Sequence, residues 1–395
     1  MVDAGSSHEP PRRSGGPGAV LAIDAMGGDH GPPAVVDGLA ALFADPPASP
    51  LSAILHGDAA ELSALVAARP QLAGKVRIQH ADAVVAMDAR PREALRAGRG
   101  SSMWRALSDV AEGGATVALS AGNTAALMTL AMVRLRPAPG VDRPAIAALW
   151  PSLGPAGWTV TLDMGADLRA DPRTLAQYGL MGAEYARIAL DLDSPRVALL
   201  NVGAEETKGR PELQEAAQTL AAACPPSARF VGFAEADAIG FDVADVIVTD
   251  GFTGNVALKS AEGAARLIAA FMREAFGKNA VTKLGALAAT PALRSLKARM
   301  DPRRVNGGVF LGLNGAVVKS HGAADAVAFE AALRLAARIG TPARADDQAG
   351  APARLMTQRI AARMAEGDRL ASEGAETHSL PGDGGSEGDM AAGSG

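Results

Sequence analysis

The sequence predicts an α/β fold: three layers, α/β/α, around a Rossmann-like sheet that is mostly parallel but mixed. Three observations carry this expectation. Short, continuous apolar runs alternate with stretches of helical periodicity through the middle of the chain, as doubly covered strands and their crossover helices do. Those runs end repeatedly in polar, glycine-containing loops. One Asn-Gly pair between two late apolar runs signals a hairpin, which an all-parallel sheet does not contain.

In chain order, strands are expected at 19–24 (AVLAID), 51–55, 76–79, 116–120, 145–149, 158–163, 196–202, 229–232 and 245–249. Helical patterns lie between them, for example at 103–112, 123–135, 173–190, 211–223 and 255–276. Asn314-Gly315 inside VFLGLNGAVVK marks the hairpin. Residues 1–17 are rich in Gly, Pro and Ser and are expected to be disordered, as is the tail from about Gly374. IGTPARADDQAGAP, 339–352, reads as a linker. Residues 354–371 read as one short helix with Leu355, Met356, Ile360 and Met364 at helical spacing. The expected organisation is a disordered 1–17, one domain over 18–340, and a 341–395 extension of linker, helix and tail.

Composition narrows the function. Hydrophobic residues at 48% and charged residues at 21% suit a globular protein with an ample core. Aromatics at 4% leave that core to Ala, Leu, Val and Ile. A net charge of −5 argues against general nucleic-acid binding, which needs a basic surface. The single Cys224 excludes an internal disulfide and a cysteine-based metal site, and fits a reducing cytoplasm. No apolar run approaches the roughly 20 residues needed to cross a bilayer, and the N-terminus has no secretory h-region.

Ligands in open α/β sheets bind beyond the carboxyl ends of the strands. Six polar loops are expected on that edge: Asp24–Gly31, Ser120–Thr124, Asp163–Asp167, Asn201–Gly209, Asp250–Asn255 and Lys319–Gly322. Each alone reads as an ordinary turn; together they read as a site. Small residues let backbone N–H groups approach a ligand, and helices starting just beyond direct positive dipoles at it. Such an edge suits phosphate. Yet GxGxxG after the first strand, GxxxxGK[ST], GxSxG and HExxH are all missing. The six histidines are scattered and give no metal-ligand spacing. No metal and no cofactor are expected.

Two basic elements stand apart. Arg92, Arg96 and Arg99 fall at i, i+4 and i+7, on one helical face, followed by the turn and N-cap Gly100-Ser101-Ser102. They read either as a solvated face or as a clamp on phosphate or an acidic partner. Between Ala275 and Met300 there is no acidic residue but five basic ones, Lys278, Lys283, Arg294, Lys297 and Arg299. Leu267, Ile268, Phe271, Met272, Ala275 and Phe276 precede it as an apolar stripe. That stripe is expected to pack on the core or a second subunit. Residues 266–300 as a whole are a candidate membrane, partner or dimer segment.

IDAMGGDHGP, DARPREALRAGRGSSM, SAGNTAALM, DMGAD, NVGAEETKG, DVIVTDGFTGNVALKS and GGVFLGLNGAVVKSHGAAD follow one another in this order. The set resembles the bacterial phosphate acyltransferases of the PlsX family, from about residue 19 to 338. The resemblance implies a fold similar to isocitrate and isopropylmalate dehydrogenases and to phosphotransacetylases, and makes 18–340 the catalytic domain. It implies transfer of a long-chain acyl group from acyl-[acyl carrier protein] to inorganic phosphate, for phospholipid synthesis. It also implies a cytoplasmic homodimer in peripheral contact with the inner membrane and the downstream glycerol-phosphate acyltransferase. Ala125 stands where the family often has Gly, Asp167 and Arg169 differ in charge from its usual pattern, and no Cys lies near Ala170.

On that reading, phosphate attacks the thioester directly. Backbone at Gly27–Gly28, Gly122–Thr124 and Gly254–Asn255 is expected to hold phosphate, with Lys208 or Lys319 as the cation. Asn123, Asn255 or Asn314 would donate to the oxyanion, and His321 would act as the acid toward sulfur. Asp24 and Asp250 would orient loops. Asp29, Arg96, Ser101, Ser102, Asp163, Asn201 and Thr253 complete the expected substrate-binding set. The rivals are a phosphotransacylase using coenzyme A thioesters, a nicotinamide-dependent decarboxylating dehydrogenase, and a non-catalytic scaffold that binds carrier protein or membrane.

Overall fold

The computed structural model describes residues 18–294 and 307–341, and within 358–369 residues 358, 360–362, 364–366 and 369. The expectations for 1–17, for Lys297 and Arg299, for the linker beyond residue 341, for Leu355 and Met356 of the expected helix, and for the tail lie outside them. Ile339 and Gly340, expected to open the linker, instead end a helix, with Ile339 3% exposed. The strands are β1 (Ala19–Asp24), β2 (Leu51–Gly57), β3 (Val76–His80), β4 (Val117–Ser120), β5 (Ala145–Pro151), β6 (Trp158–Leu162), β7 (Arg196–Leu200), β8 (Arg229–Ala234), β9 (Val246–Val248), β10 (Gly308–Leu311) and β11 (Ala316–Lys319). They form one sheet in the order β3-β2-β1-β4-β11-β10-β5-β6-β9-β7-β8. Every expected strand is present, and β10 and β11 are the expected antiparallel hairpin.

The helices are α1 (Gly31–Ala44), α2 (Ala59–Ala67), α3 (Pro91–Ala97), α4 (Ser102–Ala111), α5 (Thr124–Arg134), α6 (Pro172–Ala189), α7 (Pro211–Ala223), α8 (Gly251–Gly277), α9 (Ala280–Ala288) and α10 (Ala326–Gly340). Periodicity did not single out α1, because it opens with Gly31-Pro32-Pro33, which reads as a turn. Proline is tolerated in a first helical turn, where its missing N–H has no partner anyway. Val35, Val36, Leu39, Leu42 and Phe43 then bury one face of it. The core is aliphatic, as expected, with Tyr178 and Tyr185 as its largest fully buried side chains.

Strand direction divides the sheet. β1, β2, β3, β4 and β11 run parallel to one another. β10 is antiparallel to both β11 and β5, so β5 shares the direction of β11. β6 is antiparallel to β5, and β9, β7 and β8 follow β6 in parallel. The six polar loops therefore do not share one carboxyl edge. The loops after β1, β4 and β11 lie on one edge; those after β6, β7 and β9 lie on the other.

The structure alters one further expectation and narrows two others. Helix α3 ends at Ala97 and Arg99 lies in a 3-10 turn, so Arg99 does not continue the helical face of Arg92 and Arg96. The apolar stripe on α8 does not pack on this chain's core: Leu267, Ile268 and Phe271 are each at least half exposed. Ile360 and Met364 of the C-terminal helical segment do pack on it, 1% and 2% exposed. Glycine at 140 leaves room there, since a Cβ would stand 3.0 Å from that of Met364. No helix of the described residues is long and apolar enough to cross a membrane.

Candidate functional site

Asp24 ends β1 almost fully buried. One of its carboxyl oxygens accepts from the Ser102 hydroxyl at 2.6 Å, the other from the Ser120 hydroxyl at 2.7 Å. Ser120 Oγ in turn accepts from the Gly122 N–H at 2.9 Å. One carboxyl group thus ties the end of β1, the start of α4 and the end of β4 together. Ser101, fully buried, N-caps α4 by accepting from the Trp104 N–H.

The backbone of the three loops is interlocked. The Asp29 N–H donates to the Gly322 carbonyl at 2.8 Å, and the Ser320 N–H to the Ser120 carbonyl at 2.9 Å. Gly27 is required by proximity: a Cβ there would lie 2.7 Å from both the Gly122 nitrogen and Asp24 Oδ2. Gly28 adopts φ +97° beside Ala121 and the Gly322 carbonyl, a conformation that favours glycine. Thr124 lies exposed in the first turn of α5. The starts of α1, α4 and α5 all lie beyond strands on this edge, directing positive dipole ends to it.

Lys319 enters this frame from the end of β11. It is 9% exposed, and its ammonium donates to the carbonyls of Ala121, at 3.4 Å, and of Ser320. Burial pulls its pKa down to about 8, against the opposing pull of the Asp24 and Asp29 carboxylates. His321 follows two residues on, exposed, with Nε2 3.3 Å from Lys259 Nζ of α8. Loss of solvent on its inner side, then the Lys259 ammonium, lower the imidazole below its ordinary value. The Lys259 ammonium and the Ala323 N–H, 3.4 Å from Nδ1, compete for the single lone pair of a neutral ring.

Lys259 was not singled out in the sequence, nor was Glu262, whose carboxylate pairs with it at 2.9 Å. The signal that finds them is spacing: Asn255, Lys259 and Glu262 fall at i, i+4 and i+7 and share a face of α8. Asn255 therefore stands one turn, about 6 Å, from Lys259. Helix α8 links the two edges of the sheet, beginning on one and reaching His321 on the other.

The start of α8 is held from the second edge. Asp250 caps it, accepting from the Thr253 N–H at 2.8 Å, the Thr253 hydroxyl at 2.9 Å and the Arg210 guanidinium at 3.1 Å. The Gly251 N–H donates to the Asp167 carbonyl. Asp163, fully buried, accepts from the N–H groups of Ile146, Gly165, Ala166 and Asp167. Burial nevertheless raises its pKa. Gly254 is buried against this loop, and Gly165 lies beside Asn255. Asp163, Asp250, Thr253 and Gly254 thus support α8 rather than face Lys319.

Other expected residues are held in their own surroundings. Asn123 caps α5 through its carbonyl oxygen, and its amide donates to the Met87 and Ala89 carbonyls at 2.6 and 3.3 Å. Its donors are already engaged. Asn314, in the hairpin turn on the opposite edge from Lys319, donates to the Pro137 carbonyl at 2.8 Å. Asn201 and Lys208 belong to the loop after β7. Asn201 donates to the Lys208 carbonyl, and exposed Lys208 pairs with Glu205 at 2.8 Å. That partner raises the pKa of Lys208. Arg96 is exposed on α3. Among the described residues no group of His, Cys, Asp and Glu is arranged to hold a metal ion.

The arrangement is a knitted loop platform with one buried cation and bordering helix N-termini, met by one face of α8 at the Lys259–His321 contact. A profile described as "Fatty acid synthesis protein" matches residues 19–344. A phosphate acyltransferase of Cereibacter sphaeroides is 55% identical over 321 residues, 81% of this chain and 86% of that protein. One of Paracoccus denitrificans is 52% identical over 344 residues, 86% of this chain and 91% of that protein. Among solved structures, a phosphotransacetylase from Streptococcus pyogenes matches with a TM-score of 0.54 at 18% identity, over 81% of this chain and 94% of that one. The EutD phosphotransacetylase from Staphylococcus aureus matches with 0.51 at 14% identity, over 81% and 93%. These last two likenesses are likenesses of fold.

Proposed function

Because the chain belongs to the phosphate acyltransferase family, we propose that it transfers an acyl group from acyl-[acyl carrier protein] to inorganic phosphate. The product, an acyl phosphate, would feed phospholipid synthesis. The observation that carries the reading is the buried Lys319 ammonium, set between the β1 and β4 loops with its pKa near 8.

Phosphate binds against Lys319 and the backbone of Gly27–Gly28 and Gly122–Thr124, on the platform fixed by Asp24, Ser102 and Ser120. A phosphate oxygen attacks the thioester carbonyl carbon and the oxygen–carbon bond forms. Asn255 and Lys259, one turn apart on α8, face the developing oxyanion. The tetrahedral intermediate then breaks its carbon–sulfur bond, and sulfur leaves with the electron pair. His321 is a poor acid at neutral pH because its pKa is lowered. Lys319 suits the task better, since an ammonium near 8 is matched to a thiol near 8.5. The sulfur takes its proton from Lys319, which regains one from the monohydrogen phosphate as acyl phosphate forms. No acyl-enzyme is needed, and holding the reactants together supplies much of the rate.

We place this activity in residues 18–340. Apolar, exposed Leu267, Ile268 and Phe271 on α8, with Val281, Leu284 and Leu287 on α9, support a homodimer or a peripheral membrane contact through this segment. The deciding experiment mixes the purified protein with palmitoyl-[acyl carrier protein], with and without phosphate. Free carrier thiol and hydroxylamine-trapped acyl group are followed. Thiol release that requires phosphate, matched by acyl phosphate, is the expected result. Release without phosphate would identify a thioesterase and overturn the proposal.

A further inference from the structure

Three arginines near the site have no part in the chemistry above. Arg90, Arg92 and Arg96 are exposed and, with Pro91 and Glu93, line one concave patch at the start of α3. Several other arginines have carboxylate partners: Arg105 pairs with Asp82, Arg134 with Glu112, and Arg334 with Asp45. Among the described residues no ion pair engages Arg90, Arg92 or Arg96. The Glu93 carboxylate in their midst accepts the Arg90 backbone N–H at 3.1 Å, capping the helix. A protein of net charge −5 thus keeps a basic island that its own acids do not neutralise.

The island adjoins the loop platform that holds Lys319. The Asn123 amide holds the carbonyls of Met87 and Ala89, and α3 begins two residues beyond Ala89. Behind it Gly98 rests on Leu130 of α5. The patch is therefore braced to the helix whose N-terminus borders Lys319. The other basic segment is remote: Lys278 is 19 residues beyond Lys259 along α8, about 28 Å at ~1.5 Å per residue.

We infer that the Arg90–Arg92–Arg96 patch of α3 is the docking surface for an acidic carrier protein that presents the acyl thioester to the loop platform, an inference that rests on the donor reading above. A net-negative protein repels an acidic partner over most of its surface. A local basic island beside that platform both steers the encounter and orients the complex. Charge at an exposed rim acts mainly on encounter and on salt dependence rather than on the chemical step.

The test compares wild type with the double variant Arg90→Glu/Arg92→Glu, on palmitoyl-[acyl carrier protein] and on a small acyl-pantetheine thioester. In the variant, KM for the carrier substrate is expected to rise roughly tenfold or more. Its kcat/KM for the pantetheine thioester is expected to stay within about twofold of wild type. The wild-type rate with carrier should fall with added salt, and the variant should lose that dependence. Lys283→Glu on remote α9 should leave both substrates unaffected. An unchanged carrier KM and salt response in the double variant would overturn the docking surface while leaving the donor reading intact. An equal loss on both substrates would also overturn it, because the patch would then act on catalysis or folding. A wild-type protein that turns over the small thioester but not the carrier substrate would sink the donor reading and the docking surface together.

Discussion

Lys319 is recognisable in the sequence as a cation in VVKSHG at the end of an apolar run. Its burial and the Ala121 and Ser320 carbonyls around it come from the fold. On the proposed mechanism the ammonium is the working form, so kcat/KM for a small thioester should hold below pH about 8. It should fall as pH rises through the depressed pKa of Lys319. Lys319→Arg should still hold phosphate but lose the proton donor, because a guanidinium stays protonated. Its rate should therefore fall, and the limb set by the lysine should vanish. Lys319→Met should cost on the order of 10²–10³ in rate. The surroundings of His321 are set by a residue distant in sequence. Lys259, 62 positions earlier, is the neighbour beside its imidazole. Removing that positive charge in Lys259→Met should raise the His321 pKa toward its ordinary value, read as a shifted imidazole titration by proton NMR. An unchanged titration would mean that loss of solvent alone sets it.

The strands are the elements the sequence declares most clearly, because continuous apolar runs bounded by turn residues satisfy strands covered on both faces. Helices with irregular starts, such as α1 behind Gly31-Pro32-Pro33, are less legible, since their burial depends on partners the sequence does not place. The platform of loops is where element and site meet. Gly27→Ala would push a Cβ against the Gly122 nitrogen and Asp24 Oδ2. The clash is with backbone and with a buried, hydrogen-bonded carboxyl, so the loop between β1 and α1 must shift. The expected cost is ~1–3 kcal/mol of stability, read by urea denaturation, together with a loss of phosphate-dependent activity larger than the stability change explains. A fully active Gly27→Ala protein would show that this loop does not need its close approach to β4.

Across the whole molecule, the C-terminal helical segment shows how far the packing extends beyond the matched region 19–344. Ile360 and Met364 are nearly fully buried in the main core, Met364 beside Gly140. Each such side chain is worth about 1.5–3 kcal/mol when removed from water. A protein ending at residue 344 should therefore unfold several degrees lower in calorimetry, with phosphate-dependent turnover retained at low temperature. An unchanged unfolding temperature would show that the segment contributes nothing to the core. At this scale strand direction also matters: two antiparallel steps around β10 and a third between β5 and β6 reverse half the sheet.

Residue order alone determined the α/β layering, the strand positions, the late hairpin and a polar-loop chemistry suited to phosphate. These rest on local rules: apolar runs, turn residues and missing motifs are read within a few positions. Tertiary structure alone decided which loops meet. Relative strand direction depends on pairings between segments more than a hundred residues apart, as β4 with β11. No local pattern encodes that choice. It separated Lys208, Asn201 and Asn314 from Lys319, and brought Lys259 from an exposed helix to His321. The physical reason is that hydrophobicity fixes what is buried, whereas the meeting of charged groups is set by the path of the chain between them.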